Sequence, residues 1–195
     1  MSISLHNFDT AASPAGRPLQ MATDAQLQSL FNDALKQNDG LRGAHCIHEQ
    51  WMRGDMAVNI ETMLAKLWTH AAADIPEWLP MRHISWLRTA YDVAARFQKI
   101  ASGRSHIYLV LLDYSDSRSE PHGIYVGMSQ YTAAERFDQH KAGIRAAGSV
   151  LKRGLEVLTG PVMHLQYIKR AEAERIEEQL AEALRAEGLL VQGGH

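Results

Sequence analysis

Five side chains in the second half of the sequence could together act on a phosphate ester. Tyr108 and Tyr125 lie in two apolar segments, Arg136 and His140 follow four residues apart, and Glu177 lies nearer the C-terminus. On a helix, residues four apart share one face and lie about 6 Å apart. A guanidinium can bind a phosphate, an imidazole can move a proton, and a carboxylate can hold a cation. These residue types therefore permit a phosphate site beside a cation site.

The segment that begins at Arg136 is basic, although the whole chain is not. Lys and Arg number 20 against 22 Asp and Glu, so the formal net charge is −2. This balance argues against a protein that coats nucleic acid nonspecifically. Between residues 136 and 153, however, five basic residues stand against one acidic residue. Four of them are candidate phosphate-binding residues, with ordinary surface charge as the alternative: Lys141, Arg145, Lys152 and Arg153.

Glu177 stands out among the glutamates of the last predicted helix. Its neighbours Ile176, Leu180 and Leu184 form an apolar stripe, and Glu177 lies about 60° from the centre of that stripe. A carboxylate at a buried edge must pair with a cation or bind a metal, because desolvation without a partner is costly. We expect Glu177 to be a metal ligand, and an ion pair with a lysine or arginine is the alternative.

The elements that must position these side chains follow from periodicity and capping signals. The second half predicts strands over residues 106–113, 122–129 and 162–168 and helices over residues 132–143, 150–158 and 171–187. The first two strands are predicted neighbours, and Thr132 to Glu135 has the spacing of a capping box. The order indicates an α+β fold.

The first half of the sequence predicts helices, and no catalytic or metal-binding residues are assigned to it. Residues 1–20 lack periodicity and are expected to form a mobile arm, and residues 21–103 are expected to be helical. Tryptophans at helical spacing are typical of a core. This region is predicted to pack on the second domain, residues 104–195. It is also the candidate surface for a protein partner or for self-association.

The second half resembles the GIY-YIG nuclease family. The resemblance rests on His106-Ile107-Tyr108, Tyr125-Val126-Gly127, the segment from Arg136 to His140, and Glu177 in its helix, and it covers residues 105–195. It implies a small antiparallel sheet with flanking helices and an endonuclease that hydrolyses phosphodiester bonds, in DNA rather than RNA. It also implies one Mg²⁺ or Mn²⁺ ion, held by Glu177.

The family roles transfer by position. Tyr108 would be the general base or water-positioning group, and Tyr125 would arrange the nucleophile or the scissile phosphate. Arg136 would neutralise charge on the phosphorane, and His140 would bond a tyrosine or phosphate. Gly127 would allow close approach of the substrate.

The sequence departs from the family pattern at several positions. His106 replaces a glycine, and the residues after Gly127 lack the usual lysine. A catalytically weak or inactive module that binds nucleic acid or a protein is therefore the alternative function. An expected asparagine near the end is absent, and Gln192 or His195 could replace it. The sequence shows no membrane-spanning segment and no signal peptide, so a cytoplasmic location without a membrane partner is expected.

Overall fold

A computed structural model describes residues 13–194 of the chain. The chain divides into two compact units, Met1–Arg88 and Thr89–His195. It is an α+β protein, and none of the helices among the described residues is long and apolar enough to cross a membrane.

The first unit contains three long helices, α1 (Asp24–Gln37), α2 (Gly40–Arg53) and α3 (Ala57–Ala71). The helix α1 begins in a capping box between Thr23 and Gln26 and ends at Asn38, whose φ of 54° is left-handed. Such caps satisfy the amide and carbonyl groups that a helix end leaves open. The predicted helical region, residues 21–103, is therefore confirmed over most of residues 24–74, whereas residues 75–86 and 95–101 form no helix.

The predicted mobile arm, residues 1–20, is wrong for residues 13–20. Pro14–Gly16 form a short 3-10 helix, and Leu19 is buried. The Arg17 guanidinium binds the buried Glu49 carboxylate with two hydrogen bonds, of 2.7 and 3.1 Å. Because this pair and Leu19 hold the segment to α2, it is part of the fold. The rest of the predicted arm, residues 1–12, lies outside the described residues.

The second unit is built on a four-stranded sheet. Its strands are β1 (Ser102–Asp113), β2 (His122–Ser129), β3 (Gly154–Val157) and β4 (Val191–Gly193), in the order β3-β1-β2-β4. The helices are α4 (Leu87–Ala94), which begins just before the unit boundary, α5 (Ala133–Lys141), α6 (Gly148–Arg153) and α7 (Arg170–Ala186). The predicted strand pair β1–β2, the capping box of α5 and the closing helix α7 are all confirmed.

The second unit begins earlier in the chain than the predicted boundary at residue 104. Arg96 forms an ion pair with Glu187 at 2.7 Å. The Glu172 carboxylate accepts hydrogen bonds from the backbone amides of Ile100 and Ala101. These contacts join residues 96–101 to the end of the chain, which the local sequence pattern cannot show.

The predicted third strand, residues 162–168, is wrong. The segment contains the end of a 3-10 helix, Gly160–Val162, and Ile168 makes only isolated bridges to Ser102 and Ser105 among the described residues. The Gln166 side chain satisfies the carbonyls of Ile107 and Val162, which a strand ladder would otherwise do. The apolar alternation thus comes from an irregular segment that packs beside β1.

The two outer strands of the sheet come from segments other than the predicted third strand. The predicted helix over residues 150–158 ends at Arg153, and Gly154–Val157 pair with β1 as β3. The unpredicted β4 pairs with β2 in parallel, so the sheet is mixed rather than antiparallel as expected. With three or four residues, both strands are too short for an alternation signal.

One face of the sheet carries a cluster that positions the predicted site. Tyr108, Val110 and Leu112 alternate along β1 and pack with Val150 of α6 and Phe137 of α5. Alternation turns the residues between them to the opposite face. The helix α7 packs along β1, β2 and β4 and buries its Ile176, Leu180 and Leu184 stripe.

Candidate functional site

Tyr108, Tyr125 and His140 meet on this face of the sheet. The Tyr108 hydroxyl lies 2.9 Å from Nε2 of His140, and both groups are buried. The Tyr125 ring lies 5.9 Å from the ring of each of the other two, measured between centroids. Three of the five predicted side chains therefore form one contiguous aromatic group.

A backbone amide sets the tautomer of His140. The Ala147 N–H donates to Nδ1 of His140 at 2.9 Å, so Nδ1 is an acceptor. Burial, together with the charge of Arg136, lowers the pKa of His140 to about 4. The ring is therefore neutral at pH 7 and carries its hydrogen on Nε2. It follows that His140 donates to the Tyr108 oxygen, which leaves the Tyr108 hydroxyl free to donate onward.

The two tyrosines differ in how readily they lose a proton. Burial raises the pKa of Tyr108, and the charge of Tyr125 and a hydrogen bond with it raise the pKa further. Burial also raises the pKa of Tyr125, but the hydrogen bond with Tyr108 lowers it. Of the two, Tyr125 is thus the better site for a phenolate. Arg136 favours both phenolates, yet burial outweighs it.

Arg136 faces the tyrosines while holding a loop. It lowers the pKa of Tyr108 by charge and by hydrogen bonding. Its Nη1 donates to Oε1 of Gln139 and to the carbonyl of Ile144, and its Nη2 donates to the carbonyl of Arg145. The guanidinium is therefore oriented on the site by the loop between α5 and α6. Gln139 is a positioning residue for Arg136 that the sequence reasoning missed.

Gly127 lies directly opposite Tyr108 in the β1–β2 ladder. A Cβ atom at this position would lie 2.6 Å from the Tyr108 hydroxyl and 2.7 Å from Cε1 of Tyr125. Real Cβ atoms do not approach other heavy atoms this closely, so only glycine leaves room for both rings. The expected role of Gly127 is to allow close approach of the substrate, whereas its immediate neighbours are the two tyrosine rings.

Glu177 joins the group from α7. Its half-buried carboxylate has a pKa raised to about 7, because burial and the charge of Glu174 outweigh a hydrogen bond from the Met128 backbone. Its charge acts on Tyr125, whose pKa it raises. Among the described residues, no lysine, arginine or histidine forms an ion pair with Glu177. The alternative of a border ion pair is therefore wrong for this part of the chain.

The four predicted phosphate-binding residues divide into two pairs. Lys141 donates to the carbonyls of Leu151 and Gly154. Arg153 forms an ion pair with Asp116 at 2.7 Å and also donates to the Asp113 carbonyl. Both cations thus hold protein segments together. The side chains of the exposed Arg145 and Lys152 contact no protein hydrogen-bond or ion-pair partner among residues 13–194.

The parallel strand β4 brings Gln192 to the site. Gln192 pairs with Tyr125 in the β2–β4 register, so the two side chains lie on the same face of the sheet. It is half-buried between Val191 and Gly193, which are buried. This placement favours Gln192 as the replacement for the expected asparagine. The other candidate, His195, lies outside the described residues.

The donor set suits a cation that needs few protein ligands. Within the described range 13–194, no group of three or more His, Cys, Asp or Glu side chains could hold a metal. Structural zinc usually takes four protein ligands, whereas Mg²⁺ keeps several waters and is held by one or two carboxylates. Glu177 is half-buried and forms no ion pair among residues 13–194, so it could serve as the single carboxylate ligand of a hydrated Mg²⁺ or Mn²⁺ ion.

Comparisons with protein-family models, with curated proteins and with solved structures find no match to this chain.

Proposed function

We propose that the second unit, Thr89–His195, is a divalent-cation-dependent endonuclease of the GIY-YIG type that hydrolyses phosphodiester bonds, with DNA as the expected substrate. One observation carries the proposal. The Tyr108 hydroxyl lies 2.9 Å from Nε2 of His140, the Tyr125 ring lies 5.9 Å from both of their rings, and Arg136 and Glu177 act on Tyr125 by charge. A group that can activate water, near a guanidinium that can neutralise phosphate charge and a carboxylate that can hold a cation, is suited to phosphodiester hydrolysis.

Each side chain has a role in this proposal that its surroundings support. Tyr125 orients the attacking water and accepts its proton, since a phenolate forms there more readily than at Tyr108. Tyr108 and His140 position Tyr125, and the Nε2–H group of the neutral His140 ring donates a hydrogen bond to the Tyr108 oxygen. Arg136 neutralises charge on the phosphorane, because a guanidinium stays charged at every relevant pH.

Glu177 is the residue that would hold Mg²⁺ or Mn²⁺. When bound, such an ion stabilises the oxygen of the leaving group. The same carboxylate lies beside Tyr125, so the acid–base group and the cation ligand serve a single phosphate. The raised pKa of Tyr125 implies that the enzyme works best at alkaline pH.

The test is cleavage of labelled DNA by the full chain in Mg²⁺ or Mn²⁺. Duplex, branched and single-stranded DNA and RNA form the substrate panel. We expect cleavage by the wild type and a loss of at least about 100-fold in Glu177→Gln, which removes the ligand charge at constant size. Glu178→Gln is the matched control, because Glu178 is the next residue on α7 and is exposed.

Three outcomes distinguish the functions. Metal-dependent cleavage that Glu177→Gln loses and Glu178→Gln keeps supports the nuclease. Salt-sensitive binding of nucleic acid without cleavage supports the catalytically inactive binding module instead. Equal cleavage by Glu177→Gln and the wild type contradicts the role of Glu177.

A further inference from the structure

Two short stretches beside the site each expose an aliphatic side chain followed by a basic one. Ile144 is 56% exposed and precedes Arg145, and Leu151 is 40% exposed and precedes Lys152. Exposed aliphatic side chains are common singly, but here each precedes a cation whose side chain makes no hydrogen bond or ion pair among residues 13–194. The repetition indicates a surface that meets both an anion and an apolar group.

The protein holds these stretches against the predicted catalytic residues. Arg136 donates to the carbonyls of Ile144 and Arg145, and the amide of Ala147 donates to His140. Lys141 binds the carbonyl of Leu151 and so joins the end of α5 to α6. The same hydrogen bonds that orient Arg136 and His140 therefore present Ile144 and Arg145 at the edge of the site.

Arg145 is held in a costly conformation. Its φ is 45°, in the left-handed region, which glycine adopts without the steric cost that other residues pay. Its carbonyl accepts a hydrogen bond from Arg136, but its long cationic side chain forms no hydrogen bond or ion pair within the described residues. Strain of this kind is concentrated at functional sites.

We infer that Ile144, Arg145, Leu151 and Lys152 form a docking surface for a nucleic-acid strand with unpaired nucleotides next to the scissile phosphate. The inference rests on the proposed function and names its substrate class. Arg145 and Lys152 bind backbone phosphates on either side of the cleaved one, and Ile144 and Leu151 contact base faces. Stacking hides those faces in a duplex, whereas unpaired bases expose them.

The limited charge of the surface agrees with this substrate class. Neutralising two phosphates gives weak, salt-sensitive attraction, and the net charge of −2 adds no general field. Apolar contact with bases must therefore provide much of the affinity. A continuous duplex offers this surface phosphates alone, while a single strand or a strand junction offers both groups.

The experiment measures binding without cleavage. Fluorescence anisotropy in EDTA gives the dissociation constants of the full chain for a labelled 20-nucleotide single strand of DNA and for the same strand in a duplex, over a salt series. We expect tighter binding of the single strand. The double variant Arg145→Gln/Lys152→Gln should reduce the logarithmic salt slope by about 1.4, since each phosphate contact on a single strand contributes about 0.7.

One further variant separates charge from apolar contact. Ile144→Ser should weaken binding of the single strand on the order of fivefold with an unchanged salt slope. Lys169→Gln and Ile100→Ser are matched controls, because they change an exposed cation and an exposed aliphatic residue elsewhere in the second unit, and they should bind as the wild type does.

The docking surface and the proposed function can fail separately. Metal-dependent cleavage by the wild type, with wild-type binding in both the double variant and Ile144→Ser, would overturn the surface and leave the nuclease intact. Equal affinity for single strand and duplex would overturn the substrate class. Selective binding that the variants weaken, without any cleavage, would support the surface and contradict the nuclease.

Discussion

At the scale of single residues, the site depends on groups whose ionisation burial has moved. His140 is kept neutral, both tyrosines are kept protonated, and Glu177 is kept partly protonated near pH 7. The direction follows from desolvation, which disfavours the charged form of each group. Sequence alone could place these residues in order along the chain, but it could not give the burial that decides their charge.

The pKa of Glu177 predicts that cation binding strengthens as the pH rises. The carboxylate must be ionised to bind a cation, and with a pKa of about 7 its ionised fraction is about tenfold larger at pH 8 than at pH 6. Mn²⁺ titrations followed by electron paramagnetic resonance should show about a tenfold change in affinity. Affinity that does not vary over this range would contradict the prediction.

The same raised pKa predicts the effect of Glu177→Gln on stability. The folded-state pKa lies above the ordinary value of 4.5, so the cost of the buried charge is absent at low pH and grows as pH rises through 7. We expect Glu177→Gln to raise the Tm more at pH 8 than at pH 5. An equal change at both pH values would show that the charge is not the cause.

Gly127→Ala should damage the site more than the fold. The new Cβ atom would displace the rings of Tyr108 and Tyr125, at a cost of about 1–3 kcal/mol in stability and on the order of 100-fold in cleavage rate. Gly148→Ala is the control, because nothing lies within 4 Å of its added Cβ atom. Urea unfolding and cleavage assays measure the two effects, and wild-type cleavage by Gly127→Ala would contradict the prediction.

At the scale of elements, hydrogen bonds from side chains to loops position the site. Arg136 and His140 hold the loop between α5 and α6, and Arg153 holds the loop between β1 and β2. These contacts join residues that are 7 to 40 positions apart. Because the sequence shows the charge of Arg153 but not these contacts, it predicted that Arg153 binds a substrate phosphate.

Arg153→Gln should loosen the loop between β1 and β2. Arg153 pairs with Asp116, donates to the Asp113 carbonyl and lies 4.5 Å above the Tyr114 ring. Without the guanidinium, amide hydrogen exchange of residues 115–120 should accelerate about tenfold. Lys152→Gln, which removes the adjacent charge, should leave the exchange unchanged. Equal exchange in Arg153→Gln and the wild type would show that the ion pair does not hold the loop.

At the scale of the whole molecule, the two units differ in what they bury. The first unit buries His45, His48 and Glu49 together with most of its aromatic side chains. The ring of Trp78 lies 4.9 Å from that of His45 and 5.8 Å from that of His48. All four tryptophans of the chain lie in this unit, although Trp68 is exposed, so tryptophan fluorescence reports on the first unit alone.

The first unit should lose stability as the pH falls from 6.5 towards 4. Burial and the neighbouring His45 lower the pKa of His48 to about 4, so protonation favours the unfolded chain throughout that range. The loss attributable to His48 should be about 2 kcal/mol at pH 5. Urea unfolding followed by tryptophan fluorescence measures it. His48→Gln should reduce this pH dependence, and an unchanged slope would contradict the prediction.

The sequence by itself determined the elements whose signals are local. The apolar runs of β1 and β2, the capping box of α5 and the amphipathic stripe of α7 each lie within a few turns or residues, and all are confirmed. It also identified Tyr108, Tyr125 and His140, whose rings the fold brings together. Short-range periodicity is sufficient for these assignments because the backbone repeats within each element.

Only the tertiary structure decided where the short strands β3 and β4 form, which groups the basic side chains bind and how the site residues are ionised. Both β3 and β4 exist because longer strands offer them partners, and Gln192 reaches Tyr125 through that pairing. Lys141 and Arg153 are bound by protein acceptors, while Arg145 and Lys152 are not. The physical reason is the same in each case: pairing, ion-pair formation and desolvation depend on groups that are distant in the chain and close only after folding.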